Sequence, residues 1–188
     1  RRGERSFITN KNGSLRKLGL EDIPEAALAK SPIFSFASIF VSPLFDVPAM
    51  TSLFRSIKEK GGLLCADMTR CKNGDTLEDT RPALAYIDYL FPNYEEARAV
   101  SGRDTPEDIA DAFLDCGLSC LVLKLGSKGC FLKSRQTAAL VPAFPDARCI
   151  DTTGAGDNFA AGFLYALSEG MDPVECARFA CAAASLAV

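Results

Sequence analysis

The 188-residue sequence contains no histidine, and its eight cysteines (65, 71, 116, 120, 130, 149, 176 and 181) include no Cys-x-x-Cys pair. Together these gaps argue against a zinc site, which wants closely spaced thiolates or imidazoles. Most of the cysteines sit inside apolar runs such as LLCADM and RFACAAA. They read as buried, reduced thiols of a cytoplasmic protein. Long apolar runs are missing too. The longest candidate, residues 33–41 (IFSFASIFV), is strand-sized and far short of the ~18 residues a membrane span needs. No apolar segment follows the opening RRGERSF, so no secretory signal is read there. An initiator Met is also lacking, which gives the expectation of a piece of a longer protein. Basic residues do not predominate: 21 Lys and Arg stand against 24 Asp and Glu, a net charge of −3. A nucleic-acid partner would want a basic face, and the short stretch KNGSLRK reads as a solvated loop. No G-x-G-x-x-G follows a strand-like run, which disfavours a dinucleotide-dependent oxidoreductase. No G-x-x-x-x-G-K-[ST] occurs, which excludes a P-loop kinase. Internal repeats, low-complexity tracts and linkers are likewise missing, so residues 1–188 read as one domain.

What is present is ordinary globular material, 48% hydrophobic and 24% charged, enough to bury a core. Strand-like and helix-like stretches alternate. Residues 5–9, 33–41, 63–68, 89–92 and 120–126 read as strands, with 33–41 fully buried by its continuous apolar run. Residues 130–134 and 137–144 read as two short strands joined by a turn. Helices are predicted over 20–30, 47–62, 76–87, 93–102, 105–117, 155–169 and 173–188. Their punctuation is clear at several ends. Thr105, Pro106 and Asp108 open one helix and Gly117 closes it. Asp172, Pro173 and Glu175 predict a capping box at the last. Strands separated by helices imply a mostly parallel sheet with helices on both faces.

The most informative stretch is DTTGAGDNFAAGF, residues 151–163. It follows an apparent strand (147–150) and precedes an apolar helical run. Gly154 and Gly156 leave the main chain open to close approach by a ligand. A helix N-terminus offers amides without intrahelical partners and roughly half a positive charge, which together favour an anion such as a phosphate. Asp157 then stands out, because its carboxylate would compete with that phosphate. The competition makes sense if Asp157 faces a hydroxyl that attacks the phosphorus. Phosphoryl transfer asks mainly for positioning and charge stabilisation, and an aspartate is a weak base. Its role would be to orient the hydroxyl and take the proton late. A plain helix start, with Gly162 permitting close packing, is the simpler alternative.

This stretch resembles the C-terminal signature of the ribokinase, or PfkB, family of carbohydrate kinases. FPNYEEARAVSG resembles the family's Asn-x-x-Glu segment through Asn93 and Glu96, and KLGSKG resembles its ATP-site strand and turn. The resemblance implies a three-layer α/β ribokinase-like fold, a central mostly parallel sheet flanked by helices. It also implies that the N-terminal region and lid of full-length members are missing from these residues. Carried over residue by residue, Asp157 matches the catalytic base, and Gly154, Ala155 and Gly156 match the anion hole. Asn93 and Glu96 match residues that organise Mg²⁺ and its waters near the ATP phosphates. Lys124, Leu125, Gly126, Ser127, Lys128 and Gly129 match the ATP-contacting segment. Asp151 and the carbonyl of Thr153 match part of a monovalent-cation site, K⁺ in members that use one. On their own, Asn93 and Glu96 read equally as a helix cap with a first-turn acid, and GSKG as a β-turn. CADMTR resembles a further family segment through Asp67, without naming a ligand contact.

The implied activity is transfer of the γ-phosphate of ATP to a hydroxyl of a sugar or related polyol. No nucleic-acid or membrane partner is expected, and the full-length protein is expected to be able to form a homodimer through the lid. A nucleoside kinase of the same family and a catalytically silent nucleotide-binding relative remain the alternatives.

Overall fold

Residues 13, 17–40, 42–69, 74–145 and 149–188 are described in the computed structural model. The strand expected over 5–9 lies outside them, as do Cys71 and most of KNGSLRK. The chain enters through a 3-10 turn, Leu20–Asp22, and a short helix, α1 (Glu25–Lys30). It then builds one six-stranded sheet in sequence order: β1 (Ile33–Ile39), β2 (Leu63–Met68), β3 (Tyr89–Leu90), β4 (Cys120–Lys124), β5 (Cys130–Ser134) and β6 (Ala138–Val141). The first three pairings are parallel and the last two antiparallel. Each parallel step needs a crossover. These are α2 (Val47–Glu59), α3 (Leu77–Leu84), and the pair α4 (Tyr94–Ser101) and α5 (Pro106–Asp115). After the antiparallel hairpins come α6 (Ala155–Ser168) and α7 (Pro173–Ser185).

Side chains alternate across a strand, and this alternation sorts the apolar residues into two cores. Leu64, Ala66 and Met68 of β2 and Leu121 and Leu123 of β4 point to the side packed by Phe54 and Ile57 of α2 and Phe113 of α5. Cys65, Cys120, Val122, Cys130 and Leu132 point to the other, beneath Phe159 and Phe163 of α6 and Cys176 and Ala180 of α7. The result is a three-layer α/β arrangement. Aromatic rings lock the second core: Phe163 lies 5.1 Å from Tyr89 and 5.0 Å from Phe91, centroid to centroid. The seven described cysteines are free thiols, six buried and Cys149 exposed. Burial pushes Cys65 and Cys120 up to about 12, which keeps them inert.

Several local expectations are corrected. Residues 20–30 are not one helix, because Pro24, at φ −66° and ψ 134°, caps α1 and separates it from the preceding turn. A proline pushes the residue before it out of the helical region. β1 is not a buried strand: only Ile39 is buried, and Ser35 and Ala37 are exposed. It stands at one end of the sheet order among the described residues. The strand expected over 137–144 stops at Val141, before Pro142. At α7, Asp172 accepts hydrogen bonds from the amides of Val174 and Glu175. Glu175 does not complete the capping box but pairs with Arg178, one turn on. Among the described residues no helix is long and apolar enough to cross a membrane.

Candidate active site

In open parallel sheets, ligands gather beyond the carboxyl ends of the strands. Here those ends bring together Asp67 of β2, Asn93 just after β3 and Lys124, the last residue of β4. The Lys124 amide donates to the Pro92 carbonyl at 2.9 Å, and Lys124 and Asn93 form a bridge. The two residues therefore stand side by side. Asn93 caps α4, with its Oδ1 accepting from the Glu96 amide at 2.9 Å. Glu96 Oε2 accepts in return from the Asn93 amide at 3.0 Å. The capping reading of this pair is thus realised, and both residues also line the cleft described below.

α6 is entered through its N-cap, Gly154, whose φ of +80° is a conformation that favours glycine. No side chain caps this helix. The Ala155 amide donates to the Thr152 carbonyl at 3.3 Å, while the Gly156 and Asp157 amides lack the partner a Ser or Asp cap would supply. Asp157 is exposed in that same turn. A Cβ placed on Gly156 would lie 3.3 Å from Lys124 Nζ, so the ammonium sits directly against the helix start. Lys124 Nζ is held by both oxygens of Asp67, at 3.0 and 3.2 Å. Asp67 Oδ1 also accepts from the Met68 amide at 2.8 Å.

On the other side of Lys124 the chain turns through a 3-10 segment, Gly126–Lys128, and leaves by Gly129 at φ +93°. A Cβ at Gly129 would come within 2.0 Å of the Val141 carbonyl oxygen. Only glycine lets β6 pass this close.

These elements enclose a cleft of about 710 Å³. Its floor and walls include Asp67, Asn93, Glu96, Lys124, Gly126, Ser127 and Gly129 from the sheet side. Gly154, Ala155, Gly156 and Asp157 come from α6, and Cys181, Ala184 and Ser185 from α7. Ala143, Phe144, Pro145 and Cys149 give it an apolar flank. Ten of the residues singled out in the sequence therefore meet in one place. Leu125 and Lys128 do not line it; they border a neighbouring cavity of about 610 Å³. Asp151 and Thr153 line neither cavity. Asp151 Oδ1 accepts from the amide and the hydroxyl of Thr153 at 2.9 and 2.8 Å, closing a turn just ahead of α6.

Three carboxylates, Asp67, Glu96 and Asp157, and one ammonium, Lys124, line the cleft. Burial holds Asp67 above its ordinary value, opposed by Lys124 and reinforced by the charge of Asp157. Burial likewise raises Glu96, opposed by the Asn93 amide and reinforced by Asp67. Among the described residues no three acid, thiol or imidazole groups cluster tightly enough to hold a metal alone. This donor set fits Mg²⁺, which keeps several waters and shares its remaining positions with substrate phosphates. It does not fit a metal caged by protein.

The residue that sequence reasoning left without a ligand contact is Asp67. Its signal was a single acid near the end of an otherwise apolar strand, LLCADM, which is where a parallel sheet presents its functional groups. The apolar flank at Phe144, Cys149 and Cys181 carried no comparable signal.

A family model described as pfkB family carbohydrate kinase matches residues 1–188. The chain is 43% identical over 108 residues to a ribokinase of Arabidopsis thaliana, covering 54% of this chain and 28% of that protein. Among solved structures, a putative ribokinase II of E. coli superposes with a TM-score of 0.82 at 28% identity, covering 98% of this chain and 61% of the other. The A. thaliana ribokinase complexed with ribose and ATP gives 0.69 at 30% identity, covering 86% and 51%. The chain thus spans less than two thirds of the length of these relatives.

Proposed function

The chain belongs to the pfkB family of carbohydrate kinases, and from that premise we propose that it carries the phosphoryl-transfer end of an ATP-dependent sugar kinase. One observation carries the reading. An uncapped helix N-terminus, at Gly154, Ala155 and Gly156, opens into a cleft with an exposed aspartate in its first turn. Asp157 orients a sugar hydroxyl and accepts its proton as the oxygen–phosphorus bond forms. The bond from the γ-phosphorus to the departing ADP oxygen breaks as this proceeds. The α6 amides and the helix dipole stabilise charge spread over the transferring group. Asp157 is a weak base, which suits a loose transition state in which the proton moves late.

The ATP phosphates run past Asn93 and Lys124 toward the turn at Gly126, Ser127, Lys128 and Gly129. Glu96 would hold Mg²⁺ through water, and the Asp151 carboxylate with the Thr153 carbonyl would take a monovalent cation. When bound, these cations neutralise phosphate charge. The names of the relatives support a sugar as acceptor: A. thaliana ribokinase, the 2-dehydro-3-deoxygluconokinase of Bacillus subtilis and the fructokinase of Vibrio cholerae solved with fructose and ADP.

The test is ADP formation by the purified full-length protein with ATP and Mg²⁺, with and without K⁺. Ribose, fructose, 2-dehydro-3-deoxygluconate and a set of nucleosides are offered in turn. Sugar-dependent turnover is expected. Turnover with nucleosides alone would contradict the sugar assignment, and no acceptor-dependent turnover at all would contradict kinase activity.

A further inference from the structure

The placement of Lys124 goes beyond what an ATP-contacting segment requires. Its side chain is 14% exposed and that of its partner Asp67 is 19% exposed, so this is a held pair and not a loose surface contact. An ammonium has three N–H donors. Among the described residues, the hydrogen bonds Lys124 Nζ makes run to the two oxygens of one carboxylate. The same Nζ lies against the second residue of α6, 3.3 Å from where a Gly156 Cβ would stand. Asp67 is in turn fixed by the Met68 amide. A full positive charge is thereby aimed at the spot where the helix supplies only about half of one.

We propose that Lys124 is a catalytic residue of the phosphoryl transfer, its ammonium contacting the moving phosphate, and that Asp67 is the positioning residue that aims it. The proposal rests on the kinase reading above and deepens it, from ATP phosphates passing Lys124 to a contact between its ammonium and the phosphoryl group in transfer. In phosphoryl transfer, charge builds on the equatorial oxygens of the transferring group. A pre-aimed ammonium in a partly desolvated cleft meets that charge without reorganising. No bond to Lys124 forms or breaks, and its proton stays in place.

A purely structural ion pair between β2 and β4 makes a different prediction, which the experiment separates. Four variants of the full-length protein are compared with wild type: Lys124→Met, Lys124→Arg, the double Lys124→Met/Asp67→Asn, and Asp157→Asn. Lys124→Met should lower kcat on the preferred sugar by about 10²–10³-fold, with the KM for sugar unchanged. Lys124→Arg should recover part of the loss. The double variant removes the unpaired buried carboxylate, so it should match wild type in thermal midpoint while staying as slow as Lys124→Met. Recovery of wild-type kcat by the double variant would overturn the proposal, as would full activity of Lys124→Met. If Lys124→Met does not fold, the double variant decides.

Calorimetric binding of ATP and of AMP gives a readout independent of turnover. Lys124→Met should bind ATP about tenfold more weakly and AMP as before, the loss expected for one charge-assisted hydrogen bond. Equal ATP affinity in both proteins would count against phosphate contact. Should wild type phosphorylate no sugar, this ATP-selective loss would still support Lys124 as a phosphate ligand while the sugar-kinase reading fails.

Discussion

Gly129 shows how one residue's backbone can hold a site open. Its φ is +93°, and a Cβ there would stand only 2.0 Å from the Val141 oxygen, which leaves no room for a side chain. Gly129→Ala should cost about 1–3 kcal/mol for the backbone conformation alone, and more for the clash. A fall in the urea midpoint at unchanged slope is the expected readout. Asp67 behaves differently, because burial outweighs its partner and holds its carboxyl above the ordinary value. The folded chain therefore keeps this proton to a higher pH than the unfolded chain does. Its contribution is fully favourable below the unfolded value of 3.8 and is lost as pH rises through the folded one. Comparing wild type with Asp67→Asn by urea unfolding across that window, the wild type should lose stability relative to the variant as pH rises. A relative gain would show the carboxylate to be lowered instead. The sequence displayed Asp67 as a lone acid in an apolar strand but hid its partner. Lys124 lies 57 residues away, and only the parallel register of β2, β3 and β4 brings the two together.

At the scale of elements, α6 has two duties that the sequence superimposed in DTTGAGDNFAAGF. Its first turn faces the cleft, while Gly162, Phe163 and Ala166 are buried. A Cβ on Gly162 would lie 2.7 Å from Ala183 Cβ and 3.2 Å from the Ala180 Cα of α7. The packing explanation of Gly162 is realised, and it is compatible with the phosphate site proposed at Gly154 and Gly156 at the start of the same helix. Gly162→Val should cost about 1–3 kcal/mol by overpacking and shift the helix whose N-terminus forms the site. A lower thermal midpoint together with reduced kcat is expected; an unchanged midpoint would mean that α7 yields easily. Local punctuation was the most legible part of the fold. Thr105 with Asp108, and Asn93 with Glu96, act as their spacing predicts, because a cap is settled within four residues. Glu175 departed from its expected bond because Arg178, one turn on, offered a charged partner. No spacing rule weighs that competition.

For the molecule as a whole, the alternation of apolar runs foretold a layered α/β fold, and residues of the three family motifs line one cleft. Position within the sheet was not legible. β1 reads as apolar as any central strand, yet it stands at the end of the sheet order and leaves Ser35 and Ala37 exposed. The apolar flank of the cleft was equally hidden. Phe144 and Cys149 come from the segment after β6, Cys181 and Ala184 from α7, and only the fold joins them. The same global geometry concentrates the carboxylates of Asp67, Glu96 and Asp157 on one cleft. In the proposed function it is Asp157, exposed in the first turn of α6, that takes the proton from the acceptor. The most direct test compares wild type with Asp157→Asn in the full-length protein, measuring sugar-dependent ADP formation and ATP affinity side by side. Turnover should fall by at least about 10³-fold, since the base and the orientation of the hydroxyl are lost together, while ATP binding persists. A variant that keeps most of the wild-type kcat would contradict Asp157 as the base and, with it, the site proposed at the start of α6.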